Sequence, residues 1–82
     1  MDIIIRCDFQ SKRNGKVDIE ESSTLSIISG DDLDDGIVEA ALEADSIASR
    51  YNCKMKRWGK HSWRIWEPGE DGFDIWIRIT EG

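Results

Sequence analysis

The histidine and cysteine side chains that could carry acid–base or metal chemistry are few in this chain and lie far apart. The single histidine, His61, falls in a predicted turn beside Ser62, and a lone exposed histidine in a turn is rarely catalytic. Zinc needs three or four nitrogen or sulfur ligands, and Cys7 and Cys53 lie outside any CxxC pattern. We expect both cysteines to be buried free thiols, as in a reducing cytoplasm, and no disulfide between them is indicated.

Carboxylates concentrate at residues 31–35, the one place where the chain looks like a calcium-binding loop. A loop that starts at Asp31 puts Leu42 where the closing glutamate belongs, and a loop that starts at Asp32 puts Ile37 where glycine is required. The calcium interpretation fails in both registers. The chain also has no Gly-rich phosphate loop and no nucleophile elbow. We therefore expect no enzymatic activity, no cofactor and no metal.

Charge is distributed unevenly along the chain. Residues 50–66 hold six Lys/Arg, three of the four Trp and no acidic residue. Residues 1–49 carry four Lys/Arg against twelve Asp/Glu, and residues 67–82 carry one against five. Such a split is typical of selective contact with a large partner. The net charge of −6 disfavours indiscriminate binding to nucleic acid or to an anionic membrane.

The elements that must position these residues are predicted from apolar spacing. We expect residues 1–82 to form a single α+β domain with the order β-β-β-α-β-β-β, in which a mostly antiparallel curved sheet packs on one amphipathic helix. The helix is predicted over residues 31–51, with Asp31 or Asp32 as its N-cap. The predicted strands cover residues 2–11, 16–20, 24–28, 53–58, 62–67 and 73–79, with a turn at 68–72.

Alternation within the strands predicts which side chains point toward the helix. Asn14-Gly15 marks a hairpin, and a three-residue loop over residues 13–15 sets Phe9 opposite Ile19 and Ser11 opposite Val17. The other predicted inward residues are Ile3, Ile5, Cys7, Leu25, Ile27, Cys53, Met55, Trp63, Ile65, Phe73, Ile75, Ile77 and Ile79. No apolar run in the sequence is long enough to cross a bilayer, and the N-terminus lacks the features of a signal peptide. We therefore expect a cytoplasmic location and no membrane contact.

The same alternation predicts that aromatic and basic side chains share the opposite face of the sheet. They are Lys54, Lys56, Trp58, Arg64, Trp66, Trp76 and Arg78. Lys56 is expected opposite Arg64, and such like-charge pairs require a nearby carboxylate, Asp74 being the obvious one, or an anionic partner. Three interpretations stay open: rings covered by Lys and Arg stems, anchors for a protein partner or a homodimer, or platforms for single-stranded nucleic acid.

A second candidate surface is acidic and follows the helix and its entry. Its residues are Asp31, Asp32, Asp34, Asp35, Glu39 and Glu43. They form either a solvated helix face or a strip that enters a basic groove built for phosphates. The leading hypothesis is a small acidic inhibitor that blocks a nucleic-acid-handling protein sterically and electrostatically. The chain is similar to phage anti-defence (anti-CRISPR-like) antagonists and to immunity proteins only in its size and charge. The alternatives are a single-stranded nucleic-acid-binding module and a dimeric structural or assembly subunit.

Overall fold

Five antiparallel strands and one helix make up the part of the computed structural model that is described, residues 1–67 and 71–82. The order across the sheet is β2-β1-β5-β4-β3. The predicted α+β class, the antiparallel sheet and the helix that packs on it are confirmed. Residues 68–70 of the predicted turn lie outside the described residues. The elements are β1 (Asp2–Arg13), β2 (Lys16–Ser29), a 3-10 turn (Leu33–Gly36), α1 (Ile37–Tyr51), β3 (Lys54–Gly59), β4 (Ser62–Glu67) and β5 (Phe73–Glu81).

Residues 16–29 form one strand, whereas the sequence predicted two strands there, so the first half of the chain contributes two strands and not three. The polar residues in the middle remain paired with β1: Glu21 lies opposite Phe9 and Ser22 opposite Asp8. β1 runs on to Arg13 and supplies backbone partners along the whole of β2, which outweighs the weak strand preference of the polar residues.

The hairpin between β1 and β2 turns on two residues, not three. Asn14 and Gly15 have φ values of 54° and 78°, as a type I′ turn requires, and Arg13 pairs with Lys16. The backbone twist of a type I′ turn matches the right-handed twist of the two strands, and this match favours the two-residue turn. The predicted three-residue loop is therefore wrong.

Compared with the predicted three-residue loop, the observed turn holds one residue fewer, and β2 accommodates that additional residue as a bulge at Asp18. Asp18 bulges out of β2, because Val17 lies opposite Lys12 and Ile19 opposite Ser11, with no β1 partner for Asp18 between them. The predicted pairs Phe9–Ile19 and Ser11–Val17 are thus wrong. Val17 is 53% exposed because, like its partner Lys12, it lies on the side of the sheet opposite the helix. Ile19 shares the side of Ser11 but is 47% exposed, because this end of the hairpin runs beyond the helix.

A second bulge, at Leu25, reverses the alternation in the rest of β2. Leu25 and Ile28 pack against the core, but Ile27, which was predicted to point inward, lies on the opposite face and is 62% exposed. A single inserted residue moves every later side chain to the other face of a strand, so the error follows from the unpredicted bulge.

The helical segment starts at one of the two predicted caps, Asp32, but its first turn is a 3-10 turn, and α1 itself begins only at Ile37 with Gly36 as its N-cap. The Asp32 side chain accepts a hydrogen bond from the Asp34 backbone amide, and Asp35 completes a capping box. Gly36 joins the 3-10 turn to α1, and a Cβ there would lie 2.9 Å from Cγ2 of Ile3 and 3.1 Å from Cγ2 of Ile79. Its missing side chain lets the helix approach β1 and β5 closely.

The core lies between α1 and the inward side of β1, β5 and β4. Its buried members are Ile3, Ile5, Ala40, Ala44, Ile47, Ala48, Trp63, Ile65, Ile75, Ile77 and Ile79. Met55, also predicted inward, is 37% exposed because β3 is an edge strand. None of the helices in the described ranges has the length and apolarity to cross a membrane.

Both cysteines are free thiols, as predicted, but each is only half-buried. Two effects raise the pKa of Cys7: its burial, which is the larger, and the negative charge of the neighbouring Asp8 carboxylate. The pKa of Cys53 is also raised, mainly by partial burial and to a smaller extent by the negative charge of Glu67. Both groups therefore stay protonated thiols near neutral pH.

Candidate interaction surfaces

The structure brings together the seven aromatic and basic residues that were predicted to share a face. We call them the Trp/basic face: Lys54, Lys56, Trp58, Arg64, Trp66, Trp76 and Arg78. They lie on the side of the sheet opposite α1, since the inward positions between them belong to the core. Rings and cations alternate across neighbouring strands, with Lys54 opposite Trp66 and Arg64 between Lys56 and Trp76.

Arg64 occupies the centre of this face. Its guanidinium carbon lies 5.7, 4.9 and 5.9 Å from the ring centroids of Trp58, Trp66 and Trp76. Its Nε and Nη2 atoms donate hydrogen bonds of 2.9 and 2.7 Å to Oδ1 of Asp74. The three rings therefore surround a cation that is already held in place, an arrangement stabilised by cation–π attraction.

Asp74 is the carboxylate that the predicted like-charge pair required. It is only 7% exposed, and Nζ of Lys12 lies 3.0 Å from its Oδ2 atom. Burial opposes ionisation, but hydrogen bonds from Lys12 and Arg64 outweigh it and hold the pKa of Asp74 below its ordinary value. Lys56 and Arg64 can face each other because this charge lies close to Arg64.

Strand β1 adds a second ion pair to the same face. Nη1 of Arg78 donates to Oδ2 of Asp8 at 2.7 Å, and the Ser22 hydroxyl donates to Oδ1 of Asp8 at 2.6 Å. Arg6 lies directly opposite Arg78, a like-charge pair that the sequence reasoning missed. The alternation had put Arg6 and Asp8 on the polar side of β1, but it did not predict that β1 pairs with β5.

The β3 side of the Trp/basic face is the most open part. Trp58 is 56% exposed and meets Trp76 edge to face, with ring centroids 5.5 Å apart and an interplanar angle of 89°. Lys54 and Lys56 are exposed and form no ion pair within residues 1–67 and 71–82. The exposed indole of Trp58 thus has Nζ of Lys56 5.8 Å from its ring centroid, and Lys54 lies further along the same strand opposite Trp66.

The acidic residues at the helix entry are largely engaged inside the molecule. Asp32 and Asp35 cap the 3-10 turn. Asp34 accepts a hydrogen bond from Nε2 of His61 at 2.7 Å and pairs with Nζ of Lys60 at 3.0 Å. These contacts, His61 first and Lys60 second, lower the pKa of Asp34. Asp34 therefore ties the β3–β4 turn to the start of the helix.

The side chains of three other predicted acidic residues do not take part in this cap. They are Asp31, Glu39 and Glu43. Glu39 and Glu43 lie along α1 and are half-buried. The acidic surface is therefore shorter than predicted. It also lies on the helix side of the sheet, so one flat partner surface cannot contact both the acidic helix and the Trp/basic face.

An apolar groove of about 380 Å³ opens on the helix side, where the β1–β2 hairpin continues past the end of α1. The sequence reasoning did not predict it, because its walls come from three segments that are distant in the chain: β1, α1 and β5. The groove is lined by Cys7, Phe9, Ile47, Arg50, Tyr51, Phe73 and Ile75. Aromatic contacts of Phe73 with Phe9 and Tyr51 hold its walls together.

Comparison with protein-family models, curated proteins and solved structures finds no match. Within the part of the chain that the structure describes, no group of three or more His, Cys, Asp or Glu side chains is arranged to hold a metal ion. The two surfaces are therefore the features of the molecule that bear on its function.

Proposed function

We propose that this protein is a non-catalytic inhibitor that occupies the surface of a partner protein, and that the Trp/basic face is its contact surface. The observation that supports this most is the exposed Trp58 on the same strand as Lys54 and Lys56, two lysines that form no ion pair within the described residues. Tryptophan and arginine are the residues that most often anchor protein interfaces. The uncommitted lysines favour an acidic surface on the partner, which would also steer association.

The ring geometry favours a protein partner over single-stranded nucleic acid. Bases stack on ring faces that are free to receive them. Here Arg64 lies near all three rings of the face, and Trp76 is met edge-on by Trp58. The net charge of −6 opposes any polyanion at long range, so the ring geometry and not the charge separates these two kinds of partner.

A second candidate uses the opposite surface of the molecule. In it, the inhibitor blocks a nucleic-acid-handling protein by placing α1 in a basic, phosphate-binding groove. The half-buried Glu39 and Glu43, together with Asp31, would provide the contacts. This candidate is favoured by the overall acidity, but Asp32, Asp34 and Asp35 already satisfy contacts within the chain.

A titration with single-stranded oligothymidylate, followed by tryptophan fluorescence at low salt, separates the protein-binding proposal from a nucleic-acid-binding function. We expect little quenching, because the rings of the Trp/basic face are engaged by Arg64. The Trp58→Ala variant is the control, since Trp58 is the exposed tryptophan of the Trp/basic face. Strong quenching that disappears in Trp58→Ala and at high salt would instead make the protein a nucleic-acid-binding module.

A further inference from the structure

The two edges of the sheet are protected to very different degrees. β3, at one edge, carries Lys54, Lys56 and Arg57 within six residues. Charged side chains, lysine above all, are how natural proteins prevent an edge from pairing with another chain. β2, at the other edge, has no charged residue over positions 22–29. This uncharged segment leaves a row of backbone donors and acceptors open to pairing.

We propose that residues 22–29 of β2 pair antiparallel with the same segment of a second copy of this chain, centred on Ser26. In this register Ile27 lies opposite Thr24 of the partner subunit, and Ile28 lies opposite the partner's Ser23. The two members of each pair lie on the same face of the sheet. Ile27 and Thr24 lie opposite Ile4 and Arg6 of β1, which share the outward face. Ile28 and Ser23 lie opposite Ile3 and Cys7, which share the inward face. Leu25, the bulged residue, stays outside the pairing in both copies.

The segment is complementary to itself, which is the reason to choose a second copy over an unrelated strand. Every paired position from Ser22 to Ser29 is uncharged, so no like charges oppose each other across the seam. The acidic residues Asp18, Glu20 and Glu21 lie beyond the paired segment and disfavour registers shifted toward the hairpin tip. The charge pattern therefore selects both the partner and the register.

Two further observations support the same contact. Ile27 is a large apolar side chain that is 62% exposed on this edge, beside the half-buried Ile4 of β1. The Ser26 hydroxyl is buried and has no hydrogen-bond partner within the described residues. In the proposed register the two copies of Ser26 lie opposite each other at the two-fold axis.

The pairing would leave the Trp/basic face open, so it does not depend on the proposed function. Antiparallel pairing of identical edges requires a two-fold axis perpendicular to the sheet. That axis reverses the strands but keeps each face on its own side. The dimer would therefore present two Trp/basic faces on the same side of one continuous sheet.

Sedimentation equilibrium up to millimolar concentration tests the proposal. We expect the native chain to approach twice its mass of 9.4 kDa. Ile27→Lys places a charge in the middle of the seam, and its dimer should dissociate at least about tenfold more readily. The matched control is Val38→Lys, because Val38 is an equally apolar residue on α1, is 72% exposed and lies away from the edge. It should dimerise as the native chain does.

Three results would overturn the proposal. The first is a native chain that stays monomeric at all concentrations. The second is a dimer whose stability is unchanged in Ile27→Lys. The third is a dimer that is lost in Trp58→Ala, because this would put the contact on the Trp/basic face. Should Ile27→Lys fail to fold, as judged by circular dichroism, Thr24→Lys gives the same test at another exposed position of the segment.

Discussion

Asp74 determines how much of the positive charge on the Trp/basic face is available to a partner. Its two oxygens bind Lys12 and Arg64, and its burial makes these contacts strong. The charges of Lys54 and Lys56 are left over, since no ion pair involves them within the described residues. At the scale of single residues, one buried carboxylate thus separates the cations that hold the face together from those that can meet a partner.

Asp74→Asn should lower the free energy of unfolding by about 2 kcal/mol at pH 7, because charge-assisted hydrogen bonds to Lys12 and Arg64 are lost. Urea denaturation measures the change. Asp45→Asn removes the same charge from an exposed position on α1 and is the control, which should stay within about 0.5 kcal/mol of the native chain. Equal stability of the two variants would show that Asp74 does not hold the face together.

The same residue gives a prediction for acid stability. Because the pKa of Asp74 is lower in the folded chain than its ordinary value, Asp74 favours folding above pH of about 4, the range of an unfolded aspartate. This contribution is lost as pH falls through the lowered pKa. The native chain should therefore lose stability faster than Asp74→Asn on acidification below that pH. Parallel curves for the two proteins would contradict the lowered pKa.

At the scale of elements, the position of α1 on the sheet depends on Gly36. The Cβ of an alanine there would come within 2.9 Å of Ile3 and 3.1 Å of Ile79, two branched side chains of the core. Alanine raises helix propensity by about 1 kcal/mol, so propensity and packing have opposite effects at this position. The closeness of the contacts indicates that packing decides.

Gly36→Ala should destabilise the fold by about 1–3 kcal/mol, in spite of its better helix propensity, because the core must shift to admit the methyl group. Thermal and urea unfolding measure the loss. Gly59→Ala is the control, since no atom lies within 4 Å of a Cβ at that position and its φ is not left-handed. A more stable Gly36→Ala variant would mean that the helix does not lie as close to β1 and β5 as the structure places it.

Most elements could be predicted from the sequence because their signals are local. The apolar spacing in residues 37–51 and the alternation in β4 and β5 each fit one periodicity, and the structure confirms them. The bulges at Asp18 and Leu25 could not be predicted, because they depend on how β2 pairs with β1. The bulge at Asp18 puts Val17 and Ile19 on opposite faces, and the bulge at Leu25 changes the face of the residues after it, which is why Val17 and Ile27 were assigned wrongly.

At the scale of the whole molecule, the candidate site was predictable in its membership but not in its contacts. Alternation alone puts the seven residues of the Trp/basic face together. The part that β1 plays, through Asp8 and Lys12, depends on the long-range pairing of β1 with β5. The sequence also did not reveal that three helix-entry aspartates are used in capping and in the Asp34–His61 contact. The two surfaces consequently differ in how free they are to bind.

The most direct test of the proposed function is a titration of the native chain with poly-L-glutamate, an acidic polypeptide, followed by tryptophan fluorescence. We predict a shift in emission that weakens as salt is added, because exposed Lys54 and Lys56 attract the polyanion next to Trp58. The shift should disappear in the double variant Lys54→Glu with Lys56→Glu. It should persist in Glu39→Lys with Glu43→Lys, which changes two charges on α1. A shift that is absent in the native chain, or that survives the lysine reversals, would contradict the Trp/basic face as the contact surface.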